Sequence, residues 1–568
     1  MITRRVLGSA LASIFSLTVI SAQPSTVPSD AEIRKILENR IDRDHHGVGI
    51  VVGVIEPKGR RVVYWGSLAK DGKRLVNGDT VFEIGSMTKV FTSLILMDMV
   101  QKGEVALTDP VSKFLPPTVK IPERNGMKIT LQDLSTQSSG LPRMPSNLAP
   151  KDMMNPYADY SVEQLYQFLS GYELTRDIGE KYEYSNLAVS LLGHALSLRA
   201  GTSYEAMVQA RITGPLQMTD TRITLTPDMK TRFATGHNGE LKAVPAWDLP
   251  TLAGAGALRS TANDMLVFLA ANLGYTRTPL APAMAAEISI RRPTGVPGLE
   301  IAYAWHVLTK DGRSIIWHNG GTGGFRTFMG FDPQTRVGVV VLSNVSNEGV
   351  DDIGYHLLNA SMPLAQFDTK EHTAVPVNTK LFDGYIGRYE MAPKFILSIT
   401  REGDHLYAQA TGQGRFEIFP EAEKEYFAQV AKIQISFHTG EDGKATELVV
   451  HQGGMDTLAK RLSGDPEKPV ERKEISVDPA ILEGYTGRYQ VTPAMILKVT
   501  REGGHLFTQA TGQPKFEVFA TSTKEFFVKS FEAQLTFRTD AEGKATEIVL
   551  HQGGQDLPCK RIGAVEHP

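Results

Sequence analysis

A serine hydroxyl is a poor nucleophile until a base takes its proton, and a lysine is a poor base until its surroundings strip its own. Ser86-Met87-Thr88-Lys89 places one of each three residues apart, close enough to share a face if the segment is helical. The helical pattern is present: apolar Val90, Phe91, Leu94 and Ile95 recur at helix spacing. Gly85 can break the chain just before it, and Ser86 falls at or near the N-cap. The free amides and dipole of a helix start favour negative charge near Ser86. The spacing therefore predicts a Ser86 hydroxyl within hydrogen-bond reach of a Lys89 amine, which burial or neighbouring charge must keep neutral. A second Ser-x-x-Lys, from Ser67 to Lys70, follows strand-like residues 61–65 and runs into Asp71-Gly72, so it reads as a turn.

Two further stretches carry groups that such a serine needs. Tyr184-Ser185-Asn186 precedes an apolar helical run at 187–193. Tyr184 can pass a proton between nucleophile, leaving group and water if cations lower its pKa from about 10. Asn186 has both a donor and an acceptor, enough to hold Lys89 and a substrate amide at once. In residues 315–325 a strand ends at His318, and Gly320, Gly321, Gly323 and Gly324 let a substrate backbone come close. His318 can donate to Tyr184 or to a substrate carboxylate, and an amide just past Gly320 can help bind an oxyanion. His-x-Gly also occurs at His45, His237, His451 and His551, but only His318 has both a strand leading in and a Gly-rich exit.

The elements that must position these residues come from opposite ends of one domain. Residues 31–43 have helical spacing, 48–55 and 61–65 read as a hairpin, about 100–290 is mostly helix and loop, and 313–317 and 336–342 return to strand. A sheet assembled from both ends of such a segment brings residue 86 close to the region near 318. After about residue 365 the texture changes. A polar linker at 368–380 leads into a repeat, in which Gly384-Tyr385-Ile386-Gly387-Arg388-Tyr389 returns as Gly484-Tyr485-Thr486-Gly487-Arg488-Tyr489. The short alternating segments and Gly-containing turns of each unit predict a small antiparallel barrel or sandwich. The predicted layout is a signal peptide at 1–22, a first domain at 30–365, and β units at 378–465 and 478–565 joined by a charged stretch at 463–474.

Composition narrows the partners. The 568 residues are 41% apolar and 22% charged with a net charge of -3, which gives no basic face for nucleic acid. Arg4-Arg5, an apolar run at 6–20 and Ser21-Ala22 form a secretory signal pattern. That run is shorter than the ~20 residues a membrane span needs, and no later stretch is long enough, so the mature chain is expected in a periplasm or outside the cell. Cys559 is the single cysteine, so no intramolecular disulfide forms. There is no His-Glu-x-x-His and no cysteine pair, so neither metal nor cofactor is expected.

Jointly, Ser86 to Lys89, Tyr184-Ser185-Asn186 and His318-Asn319-Gly320 resemble, in order and approximate spacing, the serine β-lactamase and penicillin-recognising hydrolase family, particularly its class C-like branch. The framing segments 133–142, 254–264, 330–333 and 339–344 agree, so the resemblance spans roughly residues 30–365. It implies an α+β catalytic domain, an antiparallel sheet flanked by helices plus a helical subdomain, here followed by two small all-β barrel-like domains. It also implies acylation of Ser86, with Lys89 and Tyr184 sharing base and acid work. By the same resemblance the oxyanion lies on the amides of Ser86 and Gly321, and water activated by Tyr184 frees the acyl group. β-Lactamases of the family usually carry Lys-Thr-Gly where this chain has His318-Asn319-Gly320. The histidine version is similar to D-aminopeptidases and esterases of the family, and D-aminopeptidase-like enzymes share the pair of C-terminal β domains. The expected function is an exported serine hydrolase, an aminopeptidase or D-aminopeptidase-like enzyme acting on small or linear peptides. A carboxylesterase or weak β-lactamase is the alternative within the family, and a penicillin-binding-like protein with little turnover is the alternative of another class. The expected partner is a small peptide, amide or ester, with homo-oligomerisation left open.

Overall fold

Residues Gly49–Glu56 (β1) are buried almost throughout, because the strand sits mid-sheet with both faces covered. In the computed structural model, which describes residues 27–564 apart from 311, 348, 368–371, 467–473 and shorter stretches within the C-terminal units, β1 belongs to an eight-stranded antiparallel sheet. The predicted export signal at 1–22 lies outside the described residues. The remaining strands are Gly59–Gly66 (β2), Arg292–Pro293 (β3), Leu299–Ile301 (β4), His306–Lys310 (β5), Arg313–Gly321 (β6), Arg326–Asp332 (β7) and Val337–Ser343 (β8). Their order is β2-β1-β8-β7-β6-β5-β4-β3. The first strands of the domain therefore pair with its last, Val52 opposite Val341, as the strand pattern at both ends of the segment predicts.

Alternate residues of β1 and β8 feed two cores. Ile50, Val52, Val54, Val339 and Val341 pack with Ile33 and Leu37 of helix α1 (Asp30–Glu38) and with Ile353 and Leu357 of a late helix at Asp351–Leu358. Val51, Val340 and Leu342 face a larger core beneath the helical layer. At its centre runs α2 (Thr88–Gln101), in which Val90, Phe91, Leu94 and Ile95 are buried, but so are Thr88, Lys89, Thr92 and Ser93. A helix apolar on one stripe needs one neighbour; α2 is enclosed on all sides.

Beyond residue 365 two closed eight-stranded barrels follow, with strands running from Gly387–Ala392 to Met455–Arg461 and from Gly487–Thr492 to Gln555–Gly563. The repeated Gly-Tyr-x-Gly-Arg-Tyr motif is their shared clasp. Tyr389 Oη donates to the Tyr385 carbonyl at 2.7 Å, and Tyr489 repeats this on Tyr485 at 2.7 Å. Arg461 and Arg561 donate to the carbonyls of Ile386 and Thr486. Pairing of the first strand with the last, Tyr389 opposite Arg461, closes each barrel and removes its edges.

Candidate functional site

Ser86 lies in the single 3-10 turn Gly85–Met87 that leads into α2, one residue earlier than a capping position, since Met87 precedes the first helical residue. Gly85 adopts φ +50°, a left-handed conformation that glycine takes without strain. A β-carbon there would meet the Gly321 amide nitrogen at 2.7 Å. One at Gly320 would meet the Ile84 carbonyl oxygen at 2.0 Å and Thr327 Oγ1 at 2.5 Å. These two glycines let the end of β6 lie directly against the serine turn, with the Gly321 amide beside Ser86. Gly320→Ala is expected to force the strand and the turn apart. We expect it to cost about 1–3 kcal/mol of stability and at least ~100-fold in kcat/KM, measured by thermal melts and initial rates on the same preparation.

The Lys89 ammonium reaches two acceptors, Ser86 Oγ at 2.9 Å and the carbonyl of Ala255 at 2.7 Å. It is fully buried, and desolvation, assisted by the nearby Arg143 charge, drives its pKa well below the ordinary lysine value. The proton is thus already weakened, and the neutral amine can accept one from Ser86 while still donating to Ala255. Asn186 does not hold Lys89 in this arrangement. It opens the helix Asn186–Ala200, its amide nitrogen contacts Met144 Sδ at 3.6 Å, and it lines the cleft beside Ser86. The lysine's second partner is the backbone carbonyl instead.

Tyr184 also departs from expectation. Burial pushes its hydroxyl up to about 12, and a hydrogen bond to Ser86 together with the charges of Arg143 and Arg326 offsets only part of that. Tyr184 therefore stays protonated and can give a proton, while the neutral Lys89 amine can take one.

His318 is buried, and its Nδ1 lies 2.6 Å from the Asn319 carbonyl oxygen. A carbonyl only accepts, so Nδ1 carries the proton and Nε2 is left as an acceptor, and His318 makes no hydrogen bond to Tyr184. Among the described residues Nε2 has no hydrogen-bond partner, and the His318 ring centroid is 6.4 Å from that of Tyr184. Desolvation and the neighbouring His306 keep His318 neutral. His306, on β5, was not singled out in the sequence. Its ring lies 5.2 Å from that of His318 and stacks on Trp317 at 4.8 Å, and its Nε2 is 3.1 Å from Tyr182 Oη.

Burial lowers the His306 pKa from 6.5 to about 4. The unfolded imidazole takes a proton below 6.5 while the folded one resists until about 4, so the unfolded chain binds more protons in that window and stability falls as pH drops through it. His318 adds a loss of the same sign. His306→Gln, which keeps a partner for Tyr182 and cannot titrate, is expected to melt with a clearly shallower dependence on pH between 7 and 4.5 than the unsubstituted protein, by calorimetry.

Of the other His-x-Gly histidines, His45 is exposed with φ +53° and three more are held elsewhere. His237 is buried, its Nδ1 3.0 Å from the Asn344 carbonyl and its Nε2 accepting from the Lys70 amide at 3.1 Å. His451 and His551 lie on the barrels, paired with Asp456 and Asp556.

The cleft over Ser86 is walled by Met144, Tyr157, Asn186, Trp247, Leu252 and Thr322. Trp247 is placed by its amide donating to Glu83 Oε1 at 2.9 Å and by its indole donating to the Met154 carbonyl at 3.1 Å. Arg143, next in the chain to Met144 of that wall, has its guanidinium carbon 5.1 Å from the Tyr184 ring centroid.

Comparison with known proteins fits this geometry. The chain is 32% identical over 376 residues to the D-alanyl-D-alanine-carboxypeptidase/endopeptidase AmpH of Escherichia coli (strain K12), a match covering 62% of this chain and 96% of AmpH. In fold it is similar to the class C beta lactamase from Rhodobacter sphaeroides, with a TM-score of 0.51, 24% identity, and coverage of 59% of this chain and 100% of that one. It is likewise similar to the Beta-Lactamase/D-Alanine Carboxypeptidase from Pseudomonas syringae, with a TM-score of 0.51, 20% identity, and coverage of 59% and 99%. A profile described as a domain of unknown function, DUF3471, matches residues 371–464 and 471–561, once over each barrel. The beta-lactamase profile matches residues 31–361, the span that holds the buried lysine, its serine and the strand set against them, and the chain therefore belongs to the beta-lactamase family.

Proposed function

We propose that the protein is an exported serine peptidase that cleaves small peptides through an acyl-enzyme on Ser86, acting as a carboxypeptidase. The observation that carries this reading is the Ser86 hydroxyl 2.9 Å from an amine whose burial lowers its affinity for a proton. In the first step Ser86 gives its proton to neutral Lys89 and Oγ attacks the carbonyl carbon. The carbonyl electrons move onto oxygen, where the Ser86 and Gly321 amides receive the charge. Tyr184 then protonates the leaving nitrogen, the carbon–nitrogen bond breaks, and Lys89 returns its proton to Tyr184. Water reverses these roles on the ester and regenerates Ser86.

A carboxypeptidase is favoured over the aminopeptidase-like alternative by the exposed Arg143 against the Tyr184 ring, a cation with no acidic counterpart among the residues lining the cleft. The name carried by the Escherichia coli relative supports the same choice. The proposal retains hydrolase, barrel 1 and barrel 2 boundaries at 30–365, 378–465 and 478–565, and an export signal at 1–22 that directs the mature chain to a periplasm or the medium.

The test is a panel assay of the mature chain on N-acylated D-alanyl-D-alanine peptides, D- and L-aminoacyl p-nitroanilides, short p-nitrophenyl esters and a chromogenic cephalosporin. Preference for the acylated peptides is expected. Preference for the anilides restores the aminopeptidase reading, preference for esters or the cephalosporin selects those hydrolases, and acylation without turnover selects a penicillin-binding-like role.

A further inference from the structure

Arg143 is exposed, yet its position is fixed. It follows the Ser139-Gly140-Leu141-Pro142 turn, and its carbonyl accepts from the amides of Asn186 at 3.0 Å and Leu187 at 3.2 Å, tying it to the start of the helix that carries Asn186. Its guanidinium carbon rests 5.1 Å from the centroid of the Tyr184 ring. Its charge is felt by Lys89, Tyr157, Tyr182 and Tyr184 together, and its chain neighbour Met144 lines the cleft.

What distinguishes Arg143 is the absence of a countercharge. Among the described residues its guanidinium makes no ion pair and no hydrogen bond, whereas the other arginines near the cleft are held: Arg326 by Asp351 at 2.6 Å, and Arg259 by Glu83 at 3.3 Å. Contact with a tyrosine face holds a guanidinium in place and leaves its N–H donors unused. Planar, permanently charged and forked, such a group matches a carboxylate with two parallel hydrogen bonds.

Resting on the peptidase reading above, we propose that Arg143 binds the α-carboxylate of the residue released from the substrate's C-terminus and is the specificity determinant of the site. The geometry selects the leaving-group side. Tyr184 protonates the leaving nitrogen, and in a C-terminal residue the carboxylate carbon lies only two bonds from that nitrogen, about 2.5 Å away. A charge-assisted hydrogen bond adds about 2.8 Å. The Arg143 guanidinium lies against the ring of the same tyrosine that protonates the leaving nitrogen, which places a cation on the leaving-group side of the site.

The experiment compares two substrate pairs on the full mature chain and on Arg143→Gln and Arg143→Lys. One pair is an N-acyl-D-alanyl-D-alanine peptide and its C-terminal carboxamide. The other is the N-acyl-D-alanyl ester of D-lactate and the same ester with its carboxylate methylated. The quantity read is the ratio of kcat/KM for the free carboxylate over the capped form, so any change Arg143 makes to Lys89 or Tyr184 cancels. In Arg143→Gln the ratio is expected to fall about 30-fold, carried mainly by KM, with Arg143→Lys recovering part of it. An unchanged ratio, with both members of each pair falling together, overturns the proposal and leaves Arg143 as a tuner of the lysine. The ester pair reads Arg143 even if the protein cleaves no amide, so failure of the peptidase reading shows as loss of the amide pair alone.

Discussion

Ser86→Ala is expected to lower kcat/KM by at least ~10⁴-fold on every substrate the protein accepts, because the covalent route disappears while the cleft and the Gly321 amide remain. The change removes one hydroxyl at the mouth of the cleft, and Lys89 keeps its hydrogen bond to the Ala255 carbonyl. The fold should therefore tolerate it, with a melting temperature within a few degrees of the parent. Steady-state rates, read beside calorimetry on the same sample, check both halves. A variant that keeps a tenth of the parent rate would mean that Ser86 only lines the cleft.

Lys89→Met separates the base from the scaffold. Methionine fills nearly the same volume, accepts full burial and carries no proton to exchange. Activity is expected to fall about 10³- to 10⁴-fold, while stability holds or rises, because the parent must keep a lysine in a site that penalises its charge. The pH dependence follows from the same burial. The active form has a neutral Lys89, so the parent rate should rise with pH through a lysine pKa lying well below 10.5 and reach its plateau before the ordinary lysine range. Linkage has the same sign. Between the folded and unfolded lysine pKa values the unfolded chain binds more protons, so stability rises with pH there, and Lys89→Met should lack that rise. Rates and melts across pH test the pair of expectations; a variant with parental rates, or a parent that gains activity only near pH 10, would remove Lys89 from the base role.

How much of this could be read from the chain alone depends on how local each cause is. Ser86 and Lys89 are three residues apart in a helix start, so their contact follows from spacing. The α+β layout was legible because strand patterns at 48–65 and 313–342 enclose a helical middle, and Ile50 to Ile55 do pair with residues 343 to 338. The two β units were legible as repeats; their strand pattern alone left barrel and sandwich open, and the family resemblance selected the barrel that the fold shows. Closure of the barrel rests on one pairing, Tyr389 with Arg461, between residues at opposite ends of the unit.

The missed features share a cause. Lys89 takes its second partner from the backbone of Ala255, 166 residues away, and no side-chain type announces a carbonyl. The segment 254–264 was noticed as a frame, not as a ligand of the lysine. That the Nδ1 proton of His318 goes to the Asn319 carbonyl is a matter of rotamer. Whether cations lower the Tyr184 pKa could not be read from the sequence; its depth in the fold outweighs Arg143 and Arg326. His306 lies in a stretch without a motif, so only the fold brings it to the site, whereas Arg143 directly follows the framing segment 133–142 and opens a loop expected to supply pocket residues.

The most direct measurement is intact-protein mass spectrometry after acid quenching, with benzylpenicillin and an activated p-nitrophenyl ester as acyl donors, followed by peptide mapping. The account predicts one acyl group per chain, mapped to Ser86, and none on Ser86→Ala. Turnover without any adduct at Ser86, or an adduct that maps to another residue and survives in Ser86→Ala, would contradict it.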